Sequence, residues 1–102
     1  MTWFKVACLE DIPPGSRKMV IADDQLIALF NVDGTIYAID DLCPHQGAPL
    51  SEGLFIGCVA VCPWHGAEFD VTNGKLLSGP GVRDVRAYQV SIKGDDVEIE
   101  LS

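Results

Sequence analysis

Tyr88-Gln89-Val90-Ser91-Ile92-Lys93, then a turn at Gly94-Asp95, then Val97-Glu98-Ile99-Glu100-Leu101 is the stretch that sets the fold class. Tyr88, Val90 and Ile92 alternate with Gln89, Ser91 and Lys93. Val97, Ile99 and Leu101 alternate with Glu98 and Glu100. Period-two alternation predicts strands with one face buried and one wet. The same reading extends towards the N-terminus. Leu26–Val32 and Thr35–Ile39 flank Asp33-Gly34, a hairpin signal because both turn positions favour φ > 0. Lys18–Ala22 and Phe4–Leu9 are two further strand-like runs, the latter ended by Glu10-Asp11 and Pro13-Pro14-Gly15. No window carries a convincing helical period. The expected class is all-β, a small sandwich or barrel of short antiparallel strands. The 102 residues fit one domain, 1–102, with no repeat, linker or low-complexity segment.

Bulk composition narrows the function classes. The chain is 48% hydrophobic and 22% charged, as in ordinary globular proteins. Its net charge of -8 disfavours nucleic acid and anionic membrane surfaces. An acidic surface suits either solubility or fast encounter with a basic partner protein. No apolar run approaches the ~20 residues that span a bilayer, and the N-terminal residues lack a signal-peptide pattern. A cytoplasmic, monomeric protein is expected. There, four cysteines read as metal ligands, buried residues or reactive groups rather than a disulfide framework.

Residues 41–84 hold most of the glycine and proline and both histidines. The strands read as a frame and these loops as the site. Cys43-Pro44-His45 is C-x-H, and Cys62-Pro63-Trp64-His65 is C-x-x-H. Gly47 and Gly66 follow closely. Two separated Cys/His pairs can converge on one metal centre. Thiolate selects zinc, copper or iron-sulfur, and imidazole suits zinc and iron. Zinc bound by two cysteines and two histidines, in a zinc-stabilised binding module, is the competing reading. The usual zinc spacing pairs like ligands, however, and here the order is Cys, His, Cys, His. That order matches a mixed cluster in which two histidines replace two cysteines on one iron.

Cys43-Pro44-His45-Gln46-Gly47, then sixteen residues between His45 and Cys62, then Cys62-Pro63-Trp64-His65-Gly66, resembles the Rieske-type [2Fe-2S] ferredoxin family. Pro49-Leu50-Ser51-Glu52-Gly53, Glu68-Phe69-Asp70, Gly74-Lys75 and Gly79-Pro80 extend the likeness over essentially the whole chain. The resemblance implies small stacked antiparallel sheets with two ligand loops at one tip. It implies one [2Fe-2S] cluster, with Cys43 and Cys62 on an inner iron and His45 and His65 on an outer iron. Electrons would then pass at the histidine end, and Pro44, Trp64 and Pro80 would pack around the cluster. The implied role is a one-electron carrier from a flavin-containing reductase to a terminal oxygenase, and not an enzyme in its own right. A small subunit of a larger oxidoreductase, similar to that of NADH-dependent nitrite reductase, is the alternative within the same fold.

Two departures bear on potential. High-potential members carry a disulfide between the loops, whereas here Gln46, Gly47, Ala48 and Trp64 occupy the relevant places. Ala67 stands where that branch has a serine hydroxyl that bonds a cluster sulfur. Fewer hydrogen bonds to sulfur stabilise the reduced cluster less, so a midpoint of about -150 mV is expected. The ring N–H groups of ligating histidines lead us to expect a midpoint that falls as pH rises through their oxidised-state pKa.

Four further features have plain structural readings. Cys8 and Cys58 read as buried small hydrophobes. Asp40-Asp41 and Asp95-Asp96 read as solvated turn residues. Trp3 reads as core or edge packing. Arg83 and Arg86 read as part of a solvated face.

Overall fold

Ile27, Ala28, Leu29 and Phe30 are all fully buried in the computed structural model, which describes residues 2–44, 47–64, 66–79 and 83–101. Successive strand residues face opposite ways, so four consecutive buried residues need cover on both faces. In chain order the strands are β1 (Thr2–Cys8), β2 (Arg17–Ala22), β3 (Gln25–Val32), β4 (Thr35–Asp40), β5 (Phe55–Ile56), β6 (Val59–Val61), β7 (Glu68–Asp70), β8 (Leu76–Ser78), β9 (Ala87–Tyr88), β10 (Val90–Lys93) and β11 (Asp96–Leu101). They form three antiparallel sheets, ordered β2-β3-β4-β9, β1-β11-β10 and β5-β6-β7-β8.

The sheet containing β3 is the middle layer. Ile27 and Leu29 pack with Ala7, Ile12, Val97, Ile99 and Leu101 from the β1-β11-β10 side. Ala28 and Phe30 pack with Leu50, Ala60, Phe69 and Val71 from the β5-β8 side. The ring of Phe30 meets that of Phe55 edge-on, with centroids 4.8 Å apart. Two cores therefore share the middle sheet, through β3 and β4, and the second core holds the loop cysteines.

Several expectations hold. Val97, Ile99 and Leu101 are buried and their glutamate neighbours are not. Asp33 and Gly34 both have positive φ, 52° and 98°, as the hairpin needs. Asp23 and Asp24 make a second such turn without glycine, at 48° and 67°, which the sequence reading does not name. Trp3 is 44% exposed and lies on β1 at a sheet edge.

Other details differ. The run Tyr88–Lys93 is not one strand. It breaks at Gln89, so Ala87 and Tyr88 pair with Ile39 and Ala38, while Val90–Lys93 pair with β11. The chain changes sheets while staying extended, which leaves the alternation unaltered. Ile92, on the far side of that break, is 43% exposed rather than inward. Cys8 and Cys58 are half-buried rather than buried. Among the described residues, no helix is long and apolar enough to cross a membrane.

Candidate metal centre

Cys43-Pro44-His45-Gln46-Gly47-Ala48 and Cys62-Pro63-Trp64-His65-Gly66-Ala67 share the frame Cys-Pro-x-x-Gly-Ala. The structure closes both loops with the same bonds. In the first, the Cys43 N–H donates to the Ala48 carbonyl at 2.8 Å and the Gly47 N–H to the Cys43 carbonyl at 2.7 Å. In the second, the Cys62 N–H donates to Ala67 at 2.8 Å and the Gly66 N–H to Cys62 at 3.0 Å. Gly47 and Gly66 have φ of 74° and 75°, a conformation that side chains disfavour. Each loop ends a ladder: Leu42 bridges Pro49 in the first, and Val61 pairs with Glu68 in the second. The two loops are thus closed by the same pair of backbone bonds, and in sequence they differ in where the histidine stands.

Cys43 and Cys62 are 1% and 2% exposed and lie in one apolar cluster with Ala48, Leu50, Ala60 and Ala67. Soft thiolate donors held away from water, one on each matched loop, fit a shared metal centre. His45, His65 and Pro80, the other residues named for this site, lie outside the described residues. Among the described residues no group of three or more metal-ligating side chains gathers.

Pro44 is half-buried and Trp64 is 59% exposed. Ala67, at the position where high-potential members have a serine, is 1% exposed.

Three contacts pin the loops, and sequence reasoning missed them. A Cβ on Gly53 would lie 1.8 Å from the Val61 carbonyl oxygen and 3.2 Å from Pro63 Cδ. The turn after the first loop therefore presses against the strand that leads into the second. A Cβ on Gly79 would lie 2.6 Å from Ala67 Cα, so the segment following β8 packs on the second loop. Asp41 is the third. Read as solvated, it is 2% exposed, and its Oδ1 accepts the Ser51 N–H at 2.8 Å while its carbonyl accepts the Leu50 N–H at 2.6 Å. The first loop is thereby tied to the single helical turn Leu50–Glu52 that follows it.

Asp40 is also engaged rather than solvated. The Tyr88 hydroxyl donates to its Oδ1 at 2.6 Å, with Gln25 Oε1 2.9 Å away. The Arg86 N–H donates to Asp40 Oδ2 at 3.2 Å, and the Asp40 N–H to the Arg86 carbonyl at 2.9 Å. The Arg86 guanidinium lies 5.5 Å from the Tyr88 ring centroid, a cation–π distance. Burial, reinforced by the Asp40 carboxylate, pushes the Tyr88 hydroxyl up to about 12. Asp96 likewise departs from the turn reading: it opens β11 and pairs with Lys5 at 3.2 Å.

A family model described as Rieske [2Fe-2S] domain matches residues 2–89. The ferredoxin component of the naphthalene 1,2-dioxygenase/salicylate 5-hydroxylase systems of a Ralstonia species is 40% identical over 99 residues, covering 97% of this chain and 95% of that one. The solved ferredoxin of carbazole 1,9a-dioxygenase from Nocardioides aromaticivorans superposes with a TM-score of 0.94 at 31% identity, each chain covered in full. A chain in the solved complex of reduced oxygenase and oxidised ferredoxin of a carbazole 1,9a-dioxygenase superposes at 0.89 with 32% identity, covering 98% of this chain and 97% of that one.

Proposed function

Because the chain belongs to the Rieske [2Fe-2S] domain family, we propose that it is a one-electron carrier that takes electrons from a flavin-containing reductase and delivers them to the terminal oxygenase of a ring-hydroxylating dioxygenase or related monooxygenase. In this reading Cys43 and Cys62 hold one iron of a single [2Fe-2S] cluster, and His45 and His65 hold the other. The cluster, when bound, supplies a one-electron couple whose potential is raised because neutral imidazoles replace two thiolates. The chain does the rest. Its two matched loops hold the thiols in an apolar core, which excludes water from the cysteine side. Gly53, Gly79 and Asp41 fix the loops to each other and to the frame, so little reorganises when charge changes. The protein works as a single domain, 1–102, and transfers electrons as a cytoplasmic monomer.

The observation that carries the reading is the pair of identically closed loops with both thiols in one core. Similarity over nearly the full length of ferredoxin components favours a separate carrier over a subunit of a larger enzyme. The test is reconstitution with a purified flavin reductase and a purified ring-hydroxylating oxygenase. Substrate turnover that depends on this protein supports the proposal. A reduced protein that does not reoxidise in the presence of oxygenase and substrate contradicts it.

A further inference from the structure

β2 is the last strand of the middle sheet, and its pairing with β3 runs from Arg17 to Ala22 without a bulge or a proline. The two-residue turn Asp23-Asp24 makes Ala22 and Gln25 the hydrogen-bonded pair that closes this hairpin. Alternation then turns the backbone polar groups of Val20 and Lys18 towards β3, and those of Arg17, Met19 and Ile21 outward. The bond from the Asn31 N–H to the Ser16 carbonyl, 3.0 Å, obeys the same parity. The outward set is a row of backbone donors and acceptors, and an open edge of this kind templates another strand.

The side chains along that edge are self-complementary. Met19 and Ile21 are 43% and 62% exposed, and exposed Arg17 and Asp23 flank them. An antiparallel copy with Val20 on the two-fold axis sets Met19 opposite Ile21 and Arg17 opposite Asp23, twice each. The two Met19–Ile21 pairs join outward-facing strand positions, as ladder bonding requires, and each Arg17 comes opposite the turn residue Asp23, a pairing of side-chain charge. Arg17 uses Nε to bond the Ser51 carbonyl at 2.6 Å, and its terminal nitrogens have no hydrogen bond among the described residues. Charge favours the same occupant. The chain carries -8, yet Arg17 and Lys18 balance Asp23 and Asp24, so a second copy meets a locally neutral edge on an acidic surface.

We propose that two copies of this chain associate reversibly, edge to edge through β2, in this antiparallel register. The contact is small and the whole molecules repel, so the dimer forms at high concentration and the monomer remains the species that transfers electrons.

The test is sedimentation of the iron-loaded protein from about 10 μM to about 1 mM, a span chosen for weak association. Wild type should move towards twice the monomer mass. Arg17→Asp and Asp23→Lys should each weaken association by about tenfold or more, because each places like charges in register. An equimolar mixture of the two should restore it, since Asp meets Lys and Arg meets Asp in the mixed pair. Ile21→Pro removes an outward N–H while sparing the β2–β3 ladder, and should also abolish association. An unchanged iron-sulfur absorbance spectrum shows that each variant is folded. Wild type that stays monomeric to about 1 mM overturns the proposal. So does self-association that survives both charge variants, or a mixture no better than its components. A monomeric wild type whose variants bind the oxygenase less well assigns the edge to that partner and also overturns it.

Discussion

Gly53 shows how a single hydrogen atom in place of a side chain shapes the site. It allows the turn after the first ligand loop to rest on the Val61 carbonyl, where a methyl group would sit 1.8 Å from oxygen. Backbone on both sides cannot yield cheaply, so Gly53→Ala is expected to destabilise the fold by about 1–3 kcal/mol. Urea denaturation followed by circular dichroism measures this, and an unchanged midpoint counts against the contact. Tyr88 makes a second residue-scale case. Its hydroxyl titrates at about 12 in the folded chain against an ordinary 10.0. Its stabilising contribution is therefore complete below pH 10 and fades as pH rises through about 12, because the unfolded chain releases the proton first. Partial exposure screens the effect to on the order of 1 kcal/mol. Wild type should lose that much more stability than Tyr88→Phe across the interval, and parallel alkaline profiles would contradict the upward shift of the Tyr88 hydroxyl. Neither residue was legible as part of the site. The candidate ligand cysteines announce themselves by spacing, but Gly53 and Asp41 act through partners that sequence proximity does not reveal, Val61 and Ser51.

At the scale of elements, alternation in β11 and the turn chemistry of Asp33-Gly34 were readable because they depend on neighbours in the chain. The break at Gln89 was not, because it depends on which sheet accepts each half of an extended segment. β3 was readable as a strand, yet its place between two cores follows only from what covers Ile27-Ala28-Leu29-Phe30. That place makes a prediction. Phe30 is fully buried on the face that carries Cys43 and Cys62, so Phe30→Ala should lower stability by about 3–5 kcal/mol. It should also speed loss of the cluster to a chelator. Leu29→Ala, on the opposite face, should lower stability by about 2–5 kcal/mol with a smaller effect on chelator sensitivity. Equal chelator sensitivity of the two variants would contradict the division of the core into a frame half and a site half.

The whole molecule combines a middle sheet that serves two cores with a pair of matched loops that bring two cysteines together out of water. The order Cys, His, Cys, His separates the two loops from the usual structural zinc spacing, and the proposed role of His45 and His65 as ligands of one iron is the central claim. Mössbauer spectroscopy of oxidised protein loaded with Mössbauer-active iron tests it most directly. Iron held by two cysteines and iron held by two histidines differ in donor set, so the account predicts two doublets of equal area with distinct isomer shifts. A single doublet, or a protein that holds zinc and no iron, would contradict it.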